Sequence, residues 1–274
     1  MPTIGFVSQK GGVGKTCCAA AVASILAQRF KVCLVDVDEQ ASAALAVGAN
    51  PPPDRLPLRD AILERRVVEC VFETTVPNLC VVPADPSVNE SNFVHVEMRE
   101  RLLEFALKPL QKYFEYVVID TPSGLGLWTW NTVYIADLVI LPTDADEAAK
   151  RCLGQTLEWV SSIMRRFRSE ICVEEFYRVL VTMENWDDRI LFAKLGASLE
   201  ADHGAQTFKT RIQRRTAIKQ ARDLHMPIVE FAKRDRSEGS REAVKEFVNV
   251  VKEIIAHEES RVAQPAKTRD AVGA

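Results

Sequence analysis

Near its amino terminus the chain reads Gln9-Lys10-Gly11-Gly12-Val13-Gly14-Lys15-Thr16. A β-branched apolar run, residues 3–7, precedes this loop, and an alanine-rich stretch of high helix propensity, residues 17–28, follows it. Glycines allow successive backbone N–H groups to close around phosphate oxygens, and the positive end of the following helix points at the same place. Lys15 is then placed to reach the β- and γ-phosphates of a nucleotide, and the Thr16 hydroxyl to ligate Mg²⁺.

This loop departs from the standard P-loop pattern at one position. The pattern has glycine where this chain has Gln9, and a second lysine, Lys10, stands immediately before the glycines. The alternative interpretation is a glycine-rich connection without chemical meaning. It is disfavoured because strand, loop, lysine, hydroxyl and helix follow one another in the order that phosphate binding requires.

The rest of the chain alternates short apolar runs with longer helical patterns, which is typical of an α/β protein with a parallel sheet. Further strands are predicted at residues 31–35, 79–82, 116–120, 138–142 and 177–182. Helices are predicted from Leu58 and at residues 89–112, 147–168, 189–201 and 238–258. We predict a mostly parallel twisted sheet with helices on both faces, of the P-loop NTPase type. Residues 1–258 are expected to form a single domain and residues 259–274 a disordered tail.

The composition is that of an ordinary globular protein, with 47% apolar residues, 27% charged residues and a formal net charge of -3 over 274 residues. No uncharged apolar run approaches the roughly 18 residues that a membrane span needs, and the first residues lack a signal-like start. Seven cysteines without CxxC spacing are expected to be reduced, and four histidines give no pattern for a protein-built metal centre. These features predict a cytoplasmic protein.

Three motifs resemble one known family. KGGVGKT at residues 10–16 resembles the deviant Walker A motif of the ParA/MinD (Soj-like) P-loop ATPases. VDVDEQ at residues 35–40 resembles the DxDxQ segment of that family, and IDTP at residues 119–122 resembles its Walker B motif and switch region. The resemblance runs from about Pro2 to Ile255 and is closest to the partition proteins in its last part. It implies a P-loop ATPase domain that binds ATP and Mg²⁺ and hydrolyses ATP.

The resemblance also implies a role for individual polar residues. Lys10 stands where the family has a lysine that reaches across a nucleotide-sandwich dimer to the partner's ATP. Asp38 matches the acid that places the attacking water, and Asp120 is expected to hold Mg²⁺ together with Thr16, whereas no role is assigned to Asp36. For Asp38 and Asp120 the alternative is helix capping after a strand. The predicted catalytic residues are Lys10, Lys15 and Asp38, and the predicted nucleotide-binding residues are Lys10, Gly11, Gly12, Val13, Gly14, Lys15, Thr16 and Cys17.

Three departures from the family pattern limit what the resemblance implies. Cys17 stands where members commonly have a second threonine, and Ser123-Gly124 where a second proline follows the switch proline. Ile212-Gln213-Arg214 replaces the family's Ile-Pro-Arg, so no adenine contact is assigned there. Cys17 is interpreted either as a small buried residue or as a redox-sensitive thiol at a helix N-terminus.

One stretch of this mildly acidic chain carries positive charge without any acid. Residues 209–222 read KTRIQRRTAIKQAR. Doubled in a dimer, such a run gives affinity for double-stranded DNA of any sequence through phosphate contacts, and the alternative is a solvated face. The candidate DNA-binding residues are Lys209, Arg211, Arg214, Arg215, Lys219 and Arg222.

Together these features predict a ParA-type positioning ATPase, cytoplasmic and nucleoid-associated. It would form a homodimer on ATP, bind DNA nonspecifically and move a plasmid, chromosome or other cargo through a ParB-like adaptor. A MinD-like membrane cycle is the alternative, but residues 265–271 have no bulky apolar face, so no stable membrane association is expected. Iron–sulfur carriers of this fold need cysteines at the subunit interface. Small-molecule synthetases of this fold would use an ordinary Walker A motif. The cysteine spacing and Lys10 argue against both.

Overall fold

The computed structural model of the chain describes residues 1–144, 147–168, 172–182, 197–198 and 201–263. The strands of these ranges are β1 (Thr3–Phe6), β2 (Val32–Asp36), β3 (Phe72–Glu73), β4 (Leu79–Val82), β5 (Tyr116–Asp120), β6 (Leu138–Thr143) and β7 (Tyr177–Val181). They form one sheet in the order β3-β4-β2-β5-β1-β6-β7. Neighbouring strands are parallel except β3 and β4, which pair antiparallel at one edge. The predicted mostly parallel sheet is confirmed.

Helices cover both faces of the sheet, as predicted. Helices of the described chain include α1 (Lys15–Leu26), α2 (Ser42–Ala46), α3 (Leu58–Leu63), α4 (Leu102–Leu107), α5 (Leu127–Ile135), α6 (Glu147–Phe167), α7 (Val173–Phe176), α8 (Thr216–Asp223), α9 (Ile228–Asp235) and α10 (Glu238–Ala263). Every residue of β1, β2, β5 and β6 is buried, because alternate side chains enter opposite cores. Ile4 packs with α1, α9 and α10, whereas Val35 packs with α3 and α4.

The prediction of one helix over residues 89–112 is wrong. The chain instead forms 3₁₀ turns at Glu90–Phe93, Arg99–Arg101 and Lys108–Lys112 around the short helix α4. Met98 has a φ of 53°, which interrupts a helical path, and Pro109 lacks the N–H that a continuing helix would use.

The last helix is longer than predicted. It continues to Ala263, so residues 259–263 belong to α10 and not to a disordered tail. Arg261 donates to the backbone carbonyl of Asp137 and lies 3.8 Å from its carboxylate. The sequence analysis missed this end of the helix because a polar contact produces no periodic pattern of apolar residues. Residues 264–274 and most of the predicted helix at 189–201 lie outside the described residues. Among the described helices, none combines the length and apolar character required to cross a bilayer.

Candidate nucleotide-binding site

Four loops meet at the carboxyl edge of the sheet, after β1, β2, β5 and β6. The loop after β1 is the phosphate loop, and the loops after β2, β5 and β6 carry Asp38, Ser123 and Asp144 in that order. Asp120 is the register partner of Phe6 on one side and of Asp36 on the other, so the loops begin at the same level. Ligands of open parallel sheets bind at this edge.

The phosphate loop has the backbone geometry that anion binding requires. Gly12 and Gly14 have φ angles of 79° and 84°, in the left-handed region that glycine adopts without steric cost. Helix α1 begins directly after Gly14, which supplies no side-chain cap and leaves the first-turn N–H groups to an anion. Thr182, after β7, donates from its hydroxyl to the Val13 carbonyl at 2.8 Å and ties the loop to the sheet.

Lys15 lies inside the site beside a neutral partner. The side chain is buried, and its ammonium donates to the Ser123 hydroxyl at 2.8 Å. Burial lowers the pKa of Lys15, against the attraction of Asp120 and Asp38. Ser123 is thus a site residue that the sequence analysis noted only as a departure from a family pattern. A phosphate oxygen can replace its hydroxyl without breaking an ion pair.

Two carboxylates lie side by side beneath the loops. Asp36 and Asp120 are register partners at the ends of β2 and β5, and both are fully buried. Asp36 accepts hydrogen bonds from the N–H groups of Asp38 and Ala43, each at 2.9 Å. Burial raises the pKa of Asp36, and repulsion from Asp120 raises it further. Asp36 therefore orders the loop after β2 and caps the start of α2.

Asp120 has the properties of a carboxylate that holds a metal ion. Neither of its oxygens has a hydrogen-bond partner within the described chain. Burial raises the pKa of Asp120, and the nearby Thr16 hydroxyl and Lys15 ammonium act in the opposite direction. Hydroxyl and carboxylate oxygens are ligands that Mg²⁺ accepts, directly or through its water shell. The residues present therefore fit Mg²⁺, which Thr16 and Asp120 would hold.

Asp38 lines the cavity on the loop after β2. Its Oδ1 accepts from the Gln40 N–H at 3.0 Å, and its own N–H donates to Asp36. These bonds fix the position of the side chain, which is half-buried. The bond to Gln40 is a local turn and not a helix cap, because α2 begins at Ser42 and the Ala43 N–H donates to Asp36. The placement at the cavity suits an acid that orients a water molecule.

Lys10 is held by an acid of its own chain. Its ammonium lies 2.8 Å from both carboxylate oxygens of Asp144, which follows β6. The two side chains are 25% and 27% exposed, so solvent screens the pair, which contributes about 1 kcal/mol or less. Asp144 lines the nucleotide cavity, whereas Lys10 is not among its lining residues. The sequence analysis missed Asp144, although its place at the carboxyl end of a central strand was an available signal.

A cavity of about 1400 Å³ extends from the phosphate loop to α8. Its polar end includes Lys15, Thr16, Asp38 and Ser123. Its apolar wall includes Ile212, Ile218, Met226 and Phe247. A cavity with phosphate donors at one end and apolar side chains at the other matches the two ends of a nucleotide.

The basic run lies beside this cavity and is partly neutralised. Arg214, Arg215, Lys219 and Arg222 all line the cavity. Lys209, Arg214, Lys219 and Arg222 are exposed, whereas Arg211 and Arg215 are partly buried. Arg215 pairs with Glu246 of α10 at 2.5 Å, and these side chains are only 16% and 13% exposed. The acids missing from the run are therefore supplied by another helix, which counting charges along the sequence cannot show.

The Cys17 thiol is poorly suited to redox sensing. Burial raises the pKa of Cys17 to about 11, and the attraction of Arg222 only partly opposes this. Because the thiolate is the reactive form, this environment argues against redox sensing and favours a small packing residue, half-buried beside the cavity.

Comparison with known proteins gives the relationships of the chain. A family model described as an AAA domain (AAA_31) matches residues 1–173. The chain is 29% identical over 259 residues to the sporulation initiation inhibitor protein Soj of Bacillus subtilis (strain 168), with 93% of this chain and 98% of Soj covered. It is 30% identical over 227 residues to the chromosome partitioning protein ParA of Myxococcus xanthus (strain DK1622), with 81% of this chain and 78% of ParA covered.

A solved structure shares the fold. A variant of Cyanothece McdA in complex with ATP superposes with a TM-score of 0.77 at 22% identity, covering 93% of this chain and 96% of McdA. At this identity the likeness concerns the fold alone.

We predict that the two loop lysines contribute differently to ATP binding. Lys15→Ala removes a buried cation from the cavity and is expected to weaken Mg-ATP binding by at least about tenfold, the effect of one lost charge-assisted hydrogen bond. Lys10→Ala removes a cation that is already paired with Asp144 and is expected to change the affinity by no more than about threefold. Equilibrium titration measures both, with Lys112→Ala, an exposed lysine elsewhere, as the control. Equal losses in the two loop variants would contradict this assignment.

Proposed function

Since the chain belongs to the ParA/MinD family of P-loop ATPases, we propose that it hydrolyses ATP in a dimerisation cycle that positions a cargo on DNA. In this cycle ATP joins two copies of the chain, and the dimer binds double-stranded DNA without sequence preference. An adaptor protein then stimulates hydrolysis, which returns the chain to its monomeric state. The cycle would operate in the cytoplasm, on the nucleoid.

The placement of Lys10 is the observation that carries this proposal. Inside the cavity Lys15 is held by a neutral hydroxyl, whereas the Lys10 ammonium is paired with an acid of its own chain, Asp144. Because that pair is partly screened, a second copy that presents a triphosphate can compete for the ammonium with a stronger, charge-assisted contact. The γ-phosphate adds charge that ADP lacks, so the exchange supports a dimer that depends on ATP.

The proposed hydrolysis uses charge neutralisation and an oriented water rather than covalent catalysis. Lys15 supplies one cation within the chain, and the partner's Lys10 would supply another. Asp38, fixed by its bonds to Gln40 and Asp36, is the residue proposed to orient the attacking water. Mg²⁺, when bound, adds charge neutralisation at the phosphate oxygens.

The proposed DNA surface comprises the exposed members of the basic run. Lys209, Arg214, Lys219 and Arg222 are open to solvent, whereas Arg215 is engaged by Glu246 and is expected to support the surface from behind. A net negative monomer gains little from one such surface. Two copies add their phosphate contacts, so DNA binding would follow dimerisation.

We infer the cargo, and the adaptor that stimulates hydrolysis, from the names of the related proteins. One of them is named as a chromosome partitioning protein, which favours a chromosome or plasmid as cargo and a ParB-like DNA-bound adaptor as trigger. The same cycle would serve a protein assembly as cargo, because the ATPase would contact the adaptor and not the cargo.

Asp38→Ala is predicted to accumulate as an ATP-bound dimer. The variant keeps its phosphate contacts but loses the group that orients water, so turnover is expected to fall by about a hundredfold or more. Light scattering with Mg-ATP measures the mass, and phosphate release measures the turnover. Lys10→Ala/Asp38→Ala is the control and should stay monomeric. A monomeric Asp38→Ala, or one with the turnover of the parent, would show the assignment to be wrong.

Arg214→Glu/Lys219→Glu is predicted to weaken DNA binding in the presence of ATP. Because both residues also line the nucleotide cavity, binding is measured at saturating Mg-ATP and dimerisation of the variant is measured by light scattering. Each lost phosphate contact should flatten the slope of log affinity against log salt by about one unit. Binding is measured on duplexes of unrelated sequence over a range of salt concentrations. Lys108→Glu/Lys112→Glu makes the same change of charge at exposed residues of another surface and serves as the control. Equal effects of the two double variants would mean that the basic run is only a solvated face.

A further inference from the structure

Residues 86–93 lie between two loops of the site that are distant in sequence. They form two consecutive 3₁₀ turns, Pro86–Val88 and Glu90–Phe93, which we call the bridging segment. One of its neighbours is the loop that carries Asp38. The other is the switch loop, residues 121–126, which carries Ser123.

The bridging segment is fixed at its start. Asp85 accepts hydrogen bonds from the N–H groups of Ser87 and Leu58 at 2.8 and 2.9 Å, and pairs with Arg55 at 3.0 Å. The segment is therefore attached to the start of α3, so its other contacts have a rigid base.

Its buried side contacts the element that follows the switch loop. Trp128, in the first turn of α5, donates from Nε1 to the Val88 carbonyl at 2.6 Å. The Trp128 ring meets the Phe93 ring edge to face, with 4.8 Å between the centroids, and all three side chains are fully buried. Nearby, a methyl group on Gly126 would lie 2.2 Å from Oε1 of Glu90. These contacts join the bridging segment to the end of the switch loop and to the first turn of α5.

Its exposed side contacts the loop that carries Asp38. The Asn89 amide nitrogen donates to Oε2 of Glu39, the residue directly after Asp38, at 2.5 Å. The amide oxygen of Asn89 accepts from the N–H and the hydroxyl of Ser91, at 3.0 and 2.6 Å, which fixes the orientation of the amide. Because both partners are exposed, the bond contributes little to stability, and its consequence is the placement of the loop.

We propose that Asn89 is a positioning residue for ATP hydrolysis, an inference that rests on the proposed function. The bonds to Asp36 fix the start of the Asp38 loop, and the bond from Asn89 fixes Glu39 on its outer side. When phosphate takes Lys15 from Ser123, the switch loop is released on one side. The resulting movement reaches Asp38 through Trp128, the bridging segment and Asn89, so that the water-orienting acid responds to the phosphate.

The decisive variant is Asn89→Asp, which keeps the acceptor for Ser91 but sets a carboxylate against Glu39. We expect kcat to fall on the order of tenfold while KM for ATP changes by less than about twofold, since only orientation is lost. Gln111→Glu is the matched control, because it makes the same change from amide to carboxylate at an exposed residue outside the bridging segment. Its kcat should stay within about twofold of the parent.

Restoring the contact with reversed polarity provides the stricter test. In Asn89→Asp/Glu39→Gln the donor and acceptor exchange places, so most of the lost kcat should return. Hydrogen exchange of residues 37–41 in the ATP-bound state gives a second readout that does not require turnover. It should quicken in Asn89→Asp and slow again in the double variant.

The outcomes separate this inference from the proposed function. A parent chain that does not hydrolyse Mg-ATP, even with duplex DNA, overturns the proposed function. Unchanged exchange of residues 37–41 in Asn89→Asp overturns the positioning role, whatever the activity of the parent. Equal losses of kcat in Asn89→Asp and Gln111→Glu, or no recovery in the double variant, overturn it as well.

Discussion

The burial of two carboxylates at neighbouring strand ends is the constraint on which the site depends. Parallel strands in register bring Asp36 and Asp120 to the same depth, where like charges repel and water cannot screen them. Backbone N–H groups satisfy Asp36, whereas Asp120 has only the Thr16 hydroxyl, the Thr121 N–H and the Lys15 ammonium nearby, none of them in full hydrogen-bond geometry. Lys15 neutralises only part of the negative charge of this carboxylate pair. The Mg²⁺ of a bound magnesium nucleotide would neutralise the rest.

Exchange of partners is the second feature of the site. Lys15 is held by a neutral hydroxyl and Lys10 by a screened carboxylate, and phosphate oxygens can replace both. Each replacement frees a loop at the carboxyl edge of the sheet, Ser123 in one case and Asp144 in the other. Nucleotide binding within one chain and contact between two chains would therefore be sensed by different loops that begin at the same level of the sheet.

Sequence reasoning predicted the parts of this molecule that depend on local patterns. The buried strands are continuous apolar runs, and Gly12 and Gly14 adopt the left-handed backbone for which glycine is required. It failed over residues 89–112 for a local reason. Residues 89–112 have helical composition, but the backbone at Met98 and Pro109 divides them.

Contacts between residues far apart in the sequence set a second limit, which concerns the polar residues of the site. The pairing of Arg215 with Glu246 joins residues 31 positions apart, and that of Lys10 with Asp144 joins residues 134 positions apart. The bond from Asn89 to Glu39 spans 50 positions, and no periodicity reports it. Only the rule that ligands gather at the carboxyl ends of parallel strands would have pointed to Asp144.

The most direct test of the central claim is thermal unfolding of the parent chain and of Asp120→Asn, each with ATP and EDTA and then with ATP and Mg²⁺. A ligand that binds only the folded state raises the unfolding temperature, and at a fixed concentration the increase grows with the logarithm of its affinity. If Asp120 is the unsatisfied carboxylate that Mg²⁺ completes, addition of Mg²⁺ should raise the unfolding temperature of the parent clearly and that of Asp120→Asn little, while both respond alike to ATP without metal. An equal increment from Mg²⁺ in the two proteins would contradict the account.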